Sequence, residues 1–293
     1  MVYNPHRTGL IQLHTAILIA SGVALFGKLI ALSPAALTAG RTAFATMVLL
    51  VTAWIVRTPL KAPSTRDGAA MALSGVLLAI HWFAFFQAIA VSSIAIALVA
   101  TASFPLFTTF LEPLVFGERL RRVDVFSAVL TAAGLLLVAP AFDITNHLTQ
   151  GLIWGIIAAL AYALITLLNR GLGRRNPAVR LTFYQQAVAA VCTLPFAFGG
   201  LGTATGTQIA GLAVLGLVFT ALAQGLVVAS QRTIRAQTVG VLFGLEPVYG
   251  SLYAFLFIGE IPSWRTILGG LLICGAGAWA GHVATRRQLP AEI

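Results

Sequence analysis

Two long stretches without any charged side chain constrain the fold more than any other feature of this sequence. Residues 68–111 and 181–231 contain no Asp, Glu, Lys or Arg. Each stretch is about twice the roughly 20 residues that a helix needs to cross a bilayer. Only 9% of the 293 residues are charged, against roughly a quarter in soluble domains. The chain is therefore predicted to lie in a membrane, with two spans in each stretch.

Glycines, prolines and charge clusters divide the chain into ten apolar segments. These are predicted to be helices, because β-strands of a membrane barrel are shorter and alternate polar with apolar side chains. The predicted spans are 10–32, 35–56, 67–90, 93–116, 122–140, 149–170, 178–200, 207–230, 236–258 and 262–284. The fold class is thus all-α, a polytopic membrane protein with ten transmembrane helices.

The basic residues lie in short clusters between these spans. The net charge of +10 is therefore typical of a membrane protein, and nucleic acid is not expected as a partner. If the N-terminus is inside, fifteen of the 18 Lys and Arg residues fall in cytoplasmic segments, as the positive-inside rule requires. They are Arg7, Arg57, Lys61, Arg66, Arg119, Arg121, Arg122, Arg170, Arg174, Arg175, Arg180, Arg232, Arg235, Arg286 and Arg287. Both termini are predicted to be cytoplasmic, and the apolar run before Lys28 is interpreted as a retained first span rather than a signal peptide.

An internal repeat divides the chain in two. Residues 105–118 (PLFTTFLEPLVFGE) and 247–260 (PVYGSLYAFLFIGE) share Pro, Leu, Gly and Glu at the same places, 142 residues apart. We interpret this as a duplication, with 1–142 as the first five-helix repeat and 143–293 as the second. Because five spans is an odd number, the second repeat is expected to be inverted, as in many secondary transporters. The alternative is that duplication merely built a larger bundle.

Several of these features together resemble one family. They are the ten-span plan, Arg41 in the second span, the segment HWFAFFQAIAVSSIAIALVATASFPLF from His81 to Phe107, and the paired P-x12-E ends. Over nearly the whole chain they resemble the drug/metabolite transporter superfamily in its EamA branch. The resemblance implies a transporter fold, and within the branch it is greatest to bacterial amino-acid and metabolite exporters of the aromatic amino acid exporter type. One departure is that Phe183 stands in the second repeat where the first has Arg41, so the two half-sites are chemically unequal.

Polar side chains at membrane depth are costly, so they usually face the bundle interior or a wet cavity. His81, with Trp82 beside it and Phe85 on the next turn, is predicted to form a cavity wall for an apolar or aromatic side chain. The repeat offset places Gln224 opposite Trp82, which favours an inward position for both. The alternative is a structural histidine satisfied by a neighbouring helix.

Two charged residues lie within predicted spans. Glu246, near the centre of span nine, is a candidate to bind a substrate ammonium group or to carry a coupling proton. The equal alternative is a structural ion pair with Arg41 or Lys28. Arg41 is a candidate to bind a carboxylate, or else a snorkelling anchor at the outer surface.

The remaining candidates are aromatic residues and prolines. Tyr162, Trp154, Tyr184 and Tyr249 are predicted either to line the cavity or to anchor span ends at the interface. Pro105 and Pro247 are predicted to break a backbone hydrogen bond inside spans four and nine, as gating hinges or as static kinks. Glu118 and Glu260 are expected to make helix-end contacts.

The predicted function is that of a secondary transporter in a bacterial inner membrane. There is no phosphate-binding GxxxxGK[ST] motif and no cluster of metal ligands or nucleophiles, so no cofactor, metal, ATPase subunit or enzymatic activity is expected. We predict export of small metabolites, most of all aromatic or apolar amino acids, by alternating access. Alternatives are a carrier for nucleobases or cationic drugs, by proton antiport or facilitated diffusion, and a membrane enzyme or receptor. The Gly- and Ala-rich spans five and ten permit close packing either within a monomer or between subunits of a homodimer.

Overall fold

The computed structural model describes residues 5–117, 122–138, 143–173, 175–230 and 242–286, and over these ranges the chain is helical and contains no strand. The helices are α1 (Pro5–Ser21), α2 (Val23–Leu29), α3 (Pro34–Ile55), α4 (Thr65–Val91), α5 (Ile94–Thr101), α6 (Phe104–Phe116), α7 (Arg122–Val138), α8 (His147–Leu172), α9 (Ala178–Gly202), α10 (Gly206–Gly216), a π-helical segment (Leu217–Leu222), α11 (Ala223–Ser230), α12 (Glu246–Ile258) and α13 (Trp264–Arg286).

The helices occupy the predicted spans. Seven of them in the described ranges are long and apolar enough to cross a membrane. These are Arg7–Leu29, Pro34–Ile55, Thr65–Val91, Ile94–Phe116, His147–Leu172, Ala178–Gly202 and Gly206–Val227. The helices α7, α12 and α13 stand where spans five, nine and ten were predicted. The first part of predicted span nine and the residues Glu118, Arg119, Arg121, Arg174, Arg232, Arg235 and Arg287 lie outside the described ranges.

Hydroxyl and amide side chains begin several helices. Ser33, Ser64 and Ser93 each accept a hydrogen bond from a backbone N–H in the first turn of α3, α4 and α5, and Asn146 does so for α8. Thr205 and Gln208 form a reciprocal capping box at α10. Such caps satisfy donors that have no intrahelical partner, which is important for helices that end within an apolar environment.

Pro105 and Pro247 begin helices, and the prediction that they interrupt hydrogen bonds inside continuous spans is wrong. Both lie in the first turn, of α6 and α12 respectively, after two-residue turns at 102–103 and 244–245. A first-turn N–H has no intrahelical acceptor, so proline costs nothing there. Whether these turns act as gating hinges stays a prediction. The prolines that do lie inside helices are Pro113 and Pro195.

The ends of the same two helices also correspond. Gly117 and Gly259 terminate α6 and α12 in the left-handed conformation, each with φ 68°. Glycine adopts this conformation without the steric cost that a Cβ brings. The two 13-residue helices thus share their start, their length and their end at the 142-residue offset. This agreement supports the duplication, while the boundary at residue 142 stays a prediction.

Helix packing crosses between the two repeats. The pairs α3–α9 and α7–α13 join corresponding helices, α5 packs on α12, and the pair α4–α8 corresponds to α1–α11. The main apolar core gathers residues of α2, α4, α5 and α10, among them Phe86, Ile89, Leu98 and Leu212. This arrangement brings α3, α4 and α8 together with the π-helical segment near the middle of the bundle.

The small residues of spans five and ten pack against each other within the chain. A Cβ on Gly134 would come within 2.8 Å of the Gly269 carbonyl oxygen, and one on Gly269 within 2.6 Å of the Gly134 carbonyl oxygen. The Ser127 hydroxyl donates to the Ala276 carbonyl at 2.9 Å. These contacts lie within one chain, and whether two chains form a homodimer stays open.

Candidate functional site

Arg41 lies deep inside the bundle on α3. Arg41 is 1% exposed, and its side chain is among the largest that are fully buried within the described ranges. The helix that covers it approaches closely because two positions are glycine: a Cβ on Gly216 would lie 2.7 Å from the Arg41 carbonyl oxygen, and one on Gly40 would lie 2.5 Å from Leu212 Cδ1. The alternative of a snorkelling surface anchor is therefore wrong.

The Arg41 guanidinium is held by Thr220, a residue that the sequence did not single out. Nε and Nη2 donate to Thr220 Oγ1 at 3.2 and 2.8 Å. The Thr220 hydroxyl itself donates to the Leu215 carbonyl, five residues earlier, at 2.8 Å, which fits its place in the π-helical segment Leu217–Leu222. Such segments are rare and often occur at functional sites, but nothing in the local sequence marks one here.

Trp82 stacks on the same guanidinium. Arg41 Cζ lies 3.5 Å from the centroid of the Trp82 ring and 5.8 Å from that of Phe86, a cation–π arrangement that partly replaces the lost hydration. Arg41 Nη1 and Trp82 Nε1 are nevertheless buried without a hydrogen-bond partner in the described structure. Two neighbouring N–H donors are therefore left for an acceptor that the described residues do not supply.

His81 and Tyr162 extend the aromatic cluster. The His81 ring lies 4.7 Å from Trp82, 5.0 Å from Tyr162 and 6.4 Å from Phe85, measured between centroids. His81 Nδ1 lies 2.9 Å from the Ala158 carbonyl oxygen on α8. At this nitrogen the histidine is therefore hydrogen-bonded to a neighbouring helix, which is the structural alternative considered for it. His81, Trp82, Phe85 and Tyr162 thus lie together in one aromatic cluster, and that they line a substrate cavity stays a prediction.

Glu246 is the first residue of α12 rather than a residue in the middle of an unbroken helix. Its carboxylate interacts electrostatically with Arg41 and with Tyr162, and a negative charge is also favourable at a helix N-terminus. Lys28, the other partner considered, is exposed and donates to the Ser92 carbonyl at 3.2 Å. Arg41, Trp82, His81, Tyr162 and Glu246, which we call the Arg41 cluster, therefore combine a guanidinium and a carboxyl group with aromatic rings.

The other predicted site residues lie elsewhere. Gln224 is exposed on α11, so the expectation that it faces inward opposite Trp82 is not met, and Thr220 occupies the inward position instead. Tyr184 packs with Met71, Leu172 and Leu181, and Tyr249 with Leu13 and Ile17. Trp154 contacts Phe83, with ring centroids 5.9 Å apart, and packs on the main core.

Most charged side chains near the helix ends that the sequence predicts to be cytoplasmic have partners. Arg175 pairs with Asp67 at 3.2 Å, and Arg170 pairs with Glu112. Arg180 donates to the Pro59 carbonyl at 2.7 Å. All three contacts join the first half of the chain to the second.

Neutral groups and helix-end contacts join the halves near the opposite ends. Gln208 Nε2 donates to the Ala31 carbonyl at 2.9 Å, and the Glu260 carboxylate accepts from Ala95 N at 3.0 Å, the helix-end contact predicted for it.

In the loop before α8, hydrogen bonds from the backbone and side chain of Thr145 lower the pKa of Asp143. Within the described ranges no group of His, Cys, Asp and Glu is placed to hold a metal ion.

Comparison with known proteins identifies the family. The profile of the EamA-like transporter family matches residues 7–139 and again residues 149–279. The chain belongs to the EamA-like transporter family. The two matches fall one in each half, and the apolar helices together with the family make this a multi-pass membrane transporter.

Relatives of this EamA-like transporter share about a quarter of its sequence. A Bacillus subtilis transporter, YxxF, is 25% identical over 78% of this chain and 74% of its own. The pseudopaline exporter CntI of Pseudomonas aeruginosa is 26% identical over 71% and 74%, and an S-adenosylmethionine uptake transporter of Rickettsia felis is 25% identical over 70% and 68%. A crystal structure with TM-score 0.66 and 21% identity covers 96% of this chain and 99% of the other, which shows the shared fold.

Proposed function

We propose that this EamA-like transporter exports amino acids, with a preference for aromatic and apolar ones, by alternating access across a bacterial inner membrane. The observation that carries the proposal is the pair of unpartnered donors, Arg41 Nη1 and Trp82 Nε1. Leaving a buried donor unsatisfied costs about 1–3 kcal/mol. A substrate carboxylate that accepts from both groups would remove this cost and neutralise the arginine.

The rest of the cluster fits the other parts of an amino acid. The Glu246 carboxylate interacts with Arg41 and supplies the negative charge that an α-ammonium group needs. Trp82, Phe85 and Tyr162 lie around His81 and offer ring faces and edges to an apolar or aromatic side chain. A neutral zwitterion fits one cation and one anion better than a singly charged solute does.

The named relatives support a small-molecule substrate and leave its direction of transport open. One is named for exporting pseudopaline and one for taking up S-adenosylmethionine. S-adenosylmethionine carries an α-amino acid group, the part that Arg41 and Glu246 are proposed to bind here. Export is the direction that the sequence resemblance favours.

Alternating access is supported by polar contacts that join the two halves of the chain near each of the two ends of the helix bundle. Arg175–Asp67 lies at one end and Gln208–Ala31 at the other. Opening the site to one side needs only the bonds of that side to break, while those of the other side hold the halves together. With the N-terminus inside, the charged set would close the cytoplasmic side, and both termini would be cytoplasmic.

A competition experiment in proteoliposomes tests the substrate class. Uptake of labelled phenylalanine by the reconstituted chain would be measured against unlabelled phenylalanine, phenethylamine, which lacks the carboxylate, and 3-phenylpropionate, which lacks the ammonium group. We expect strong competition from phenylalanine alone. Exposed Arg66 gives the matched control: Arg66→Ala should transport normally, and Arg41→Ala should not.

The other functions make different predictions in the same assay. Competition by phenethylamine as strong as that by phenylalanine would favour a carrier for cationic drugs. Competition by uracil or adenine would favour a nucleobase carrier. Transport that responds to an imposed pH gradient in the wild type but not in Glu246→Gln would indicate proton antiport, whereas no response in either would indicate facilitated diffusion.

A further inference from the structure

A groove lies at the end of α3, outside the Arg41 cluster. It has a volume of about 670 Å³ and is lined by Ala53, Trp54, Ile55, Arg57, Thr58 and Pro59. Arg57 follows Arg41 by 16 residues, so the groove lies more than about 20 Å along the helix from the proposed substrate site, at 1.5 Å per residue. It is therefore a separate feature, and it falls at the level where α3 leaves the apolar part of the bundle.

The backbone around Arg57 is unusual. Thr58 N donates to the Ala53 carbonyl at 2.9 Å and Arg57 N to the Trp54 carbonyl at 3.3 Å, the pattern of a Schellman motif. Arg57 holds the left-handed position with φ 53°, and in the described ranges the other residues with positive φ are Gly117 and Gly259. An arginine where glycine is favoured is strained, which suggests that its side chain serves a purpose there.

The side chains around the groove combine one unpaired cation with exposed apolar groups. Arg57 is exposed, and its guanidinium has no hydrogen-bond or ion-pair partner among the described residues. Trp54 is 81% exposed and Ile55 64%. Buried Arg180 donates to the Pro59 carbonyl in the loop beside them. A groove with an exposed indole and a cation that has no partner among the described residues fits an amphiphilic anion.

The corresponding place in the second half lacks the cation. At the 142-residue offset Trp54 corresponds to Phe196, which is 79% exposed, and Arg57 corresponds to Gly199. An exposed aromatic residue is thus present in both halves, but the basic residue only in the first. Arg57 also belongs to the basic segments predicted to be cytoplasmic, and the cytoplasmic leaflet holds the anionic lipids.

From the groove, the free guanidinium and the exposed indole, we propose that this site binds the headgroup of an anionic phospholipid. Arg57 contacts the phosphate, the Thr58 hydroxyl lies beside it, and the acyl chains lie along Trp54 and Ile55. This proposal is independent of the transported substrate.

Native mass spectrometry of the full chain in detergent tests the proposal. Purified protein would be titrated with phosphatidylglycerol or phosphatidylcholine, and the fraction of lipid-bound protein measured. We expect phosphatidylglycerol to bind more tightly, and Arg57→Gly to weaken it about fivefold, the effect of one basic residue near a membrane surface. Arg57→Gly is expected to fold, because glycine is favoured at φ 53°. Arg57→Lys should keep most of the binding, since it keeps the charge.

The controls separate this site from general charge and from soluble anions. Arg66→Ala removes an exposed cation of the same segment outside the groove and should change binding less than twofold. Equal losses in Arg66→Ala and Arg57→Gly would overturn the proposal, as would equal affinity for the two lipids. Displacement of phosphatidylglycerol by glycerol phosphate at matched concentration would show a site for a soluble phosphate instead, and would also overturn it.

Discussion

In the first half of the chain Pro105 begins α6 and Gly117 ends it, and in the second half Pro247 and Gly259 do the same for α12. Positions that shape the backbone therefore recur at the 142-residue offset. Positions that carry chemistry do not: Arg41 corresponds to Phe183, Trp82 to Gln224 and Phe104 to Glu246.

The difference teaches that the halves share a scaffold but form a single, unequal site. The cation and its stacked indole come from the first half, on α3 and α4, whereas Thr220 and Glu246 come from the second. A symmetric site would present like charges to each other across the pseudo-two-fold axis. Dividing an arginine and a glutamate between the halves fits the proposed zwitterionic substrate, which has one charge for each.

The largest expected effect comes from making the first half resemble the second at one residue. Arg41→Phe introduces the residue that the second half has at this position, and it removes the charged partner proposed for the substrate carboxylate. Losing one member of a buried charged pair costs about 2–5 kcal/mol, so initial rates of phenylalanine flux should fall about 100-fold. Rates within threefold of the wild type, in protein that elutes normally on size exclusion, would contradict the unequal site.

Arg41→Lys is the companion variant. It keeps the positive charge but loses the planar fork that reaches Thr220 and the Trp82 ring together. We expect flux between those of the wild type and Arg41→Phe. Flux equal to that of Arg41→Phe would show that the geometry of the guanidinium matters more than its charge.

Neutralising the anion should have the next largest effect. Glu246→Gln keeps the shape and a hydrogen-bond acceptor but loses the charge proposed to bind the ammonium group. The difference between charged and neutral hydrogen bonds predicts a loss of about tenfold in phenylalanine flux. Glu246→Gln should weaken competition by 3-phenylpropionate less than competition by unlabelled phenylalanine, since 3-phenylpropionate has no ammonium group. An equal loss for both would place Glu246 outside the binding site.

Removing a single donor should have a smaller effect. Trp82→Phe keeps an aromatic ring against Arg41 but removes the Nε1–H that has no partner among the residues that the structure describes. Arg41 still holds the substrate carboxylate when this uncharged donor is lost, so we expect a cost of about 1 kcal/mol. The apparent affinity should then fall about fivefold, with little change in maximal rate. Trp154→Phe, at a tryptophan packed on the main core, is the matched control and should leave the affinity unchanged.

The sequence predicted the spans and the cationic centre but not how the centre is completed. Helices of a membrane protein are apolar on all sides, so periodicity does not tell which face of α9 or α12 turns inward, and Tyr184 and Tyr249 pack elsewhere. Thr220, which contacts Arg41, lies in a π-helical segment that shifts the register of its helix, and no sequence pattern indicates that shift. The helices that start at Phe104 and Glu246 follow two-residue turns at 102–103 and 244–245, and the only Gly or Pro in these turns is Gly244. With so weak a turn signal, the sequence predicts continuous spans in which Pro105 and Pro247 are interior kinks.

The smallest expected effect concerns the scaffold that the halves share. Gly117→Ala and Gly259→Ala each place a Cβ at φ 68°, and a Cβ at either position meets nothing within 4 Å. The cost is therefore conformational alone, about 1 kcal/mol for a left-handed alanine, and it should be the same in both halves. Reversible unfolding in mixed micelles would measure it, with Gly206→Ala, also in open space but without positive φ, as the control. Because neither glycine touches the Arg41 cluster, phenylalanine flux should stay near the wild-type value in both variants. If the losses of unfolding free energy in the two variants differed by more than about 1 kcal/mol, α6 and α12 would end in different surroundings. The halves would then be unequal in their scaffold as well as in their chemistry.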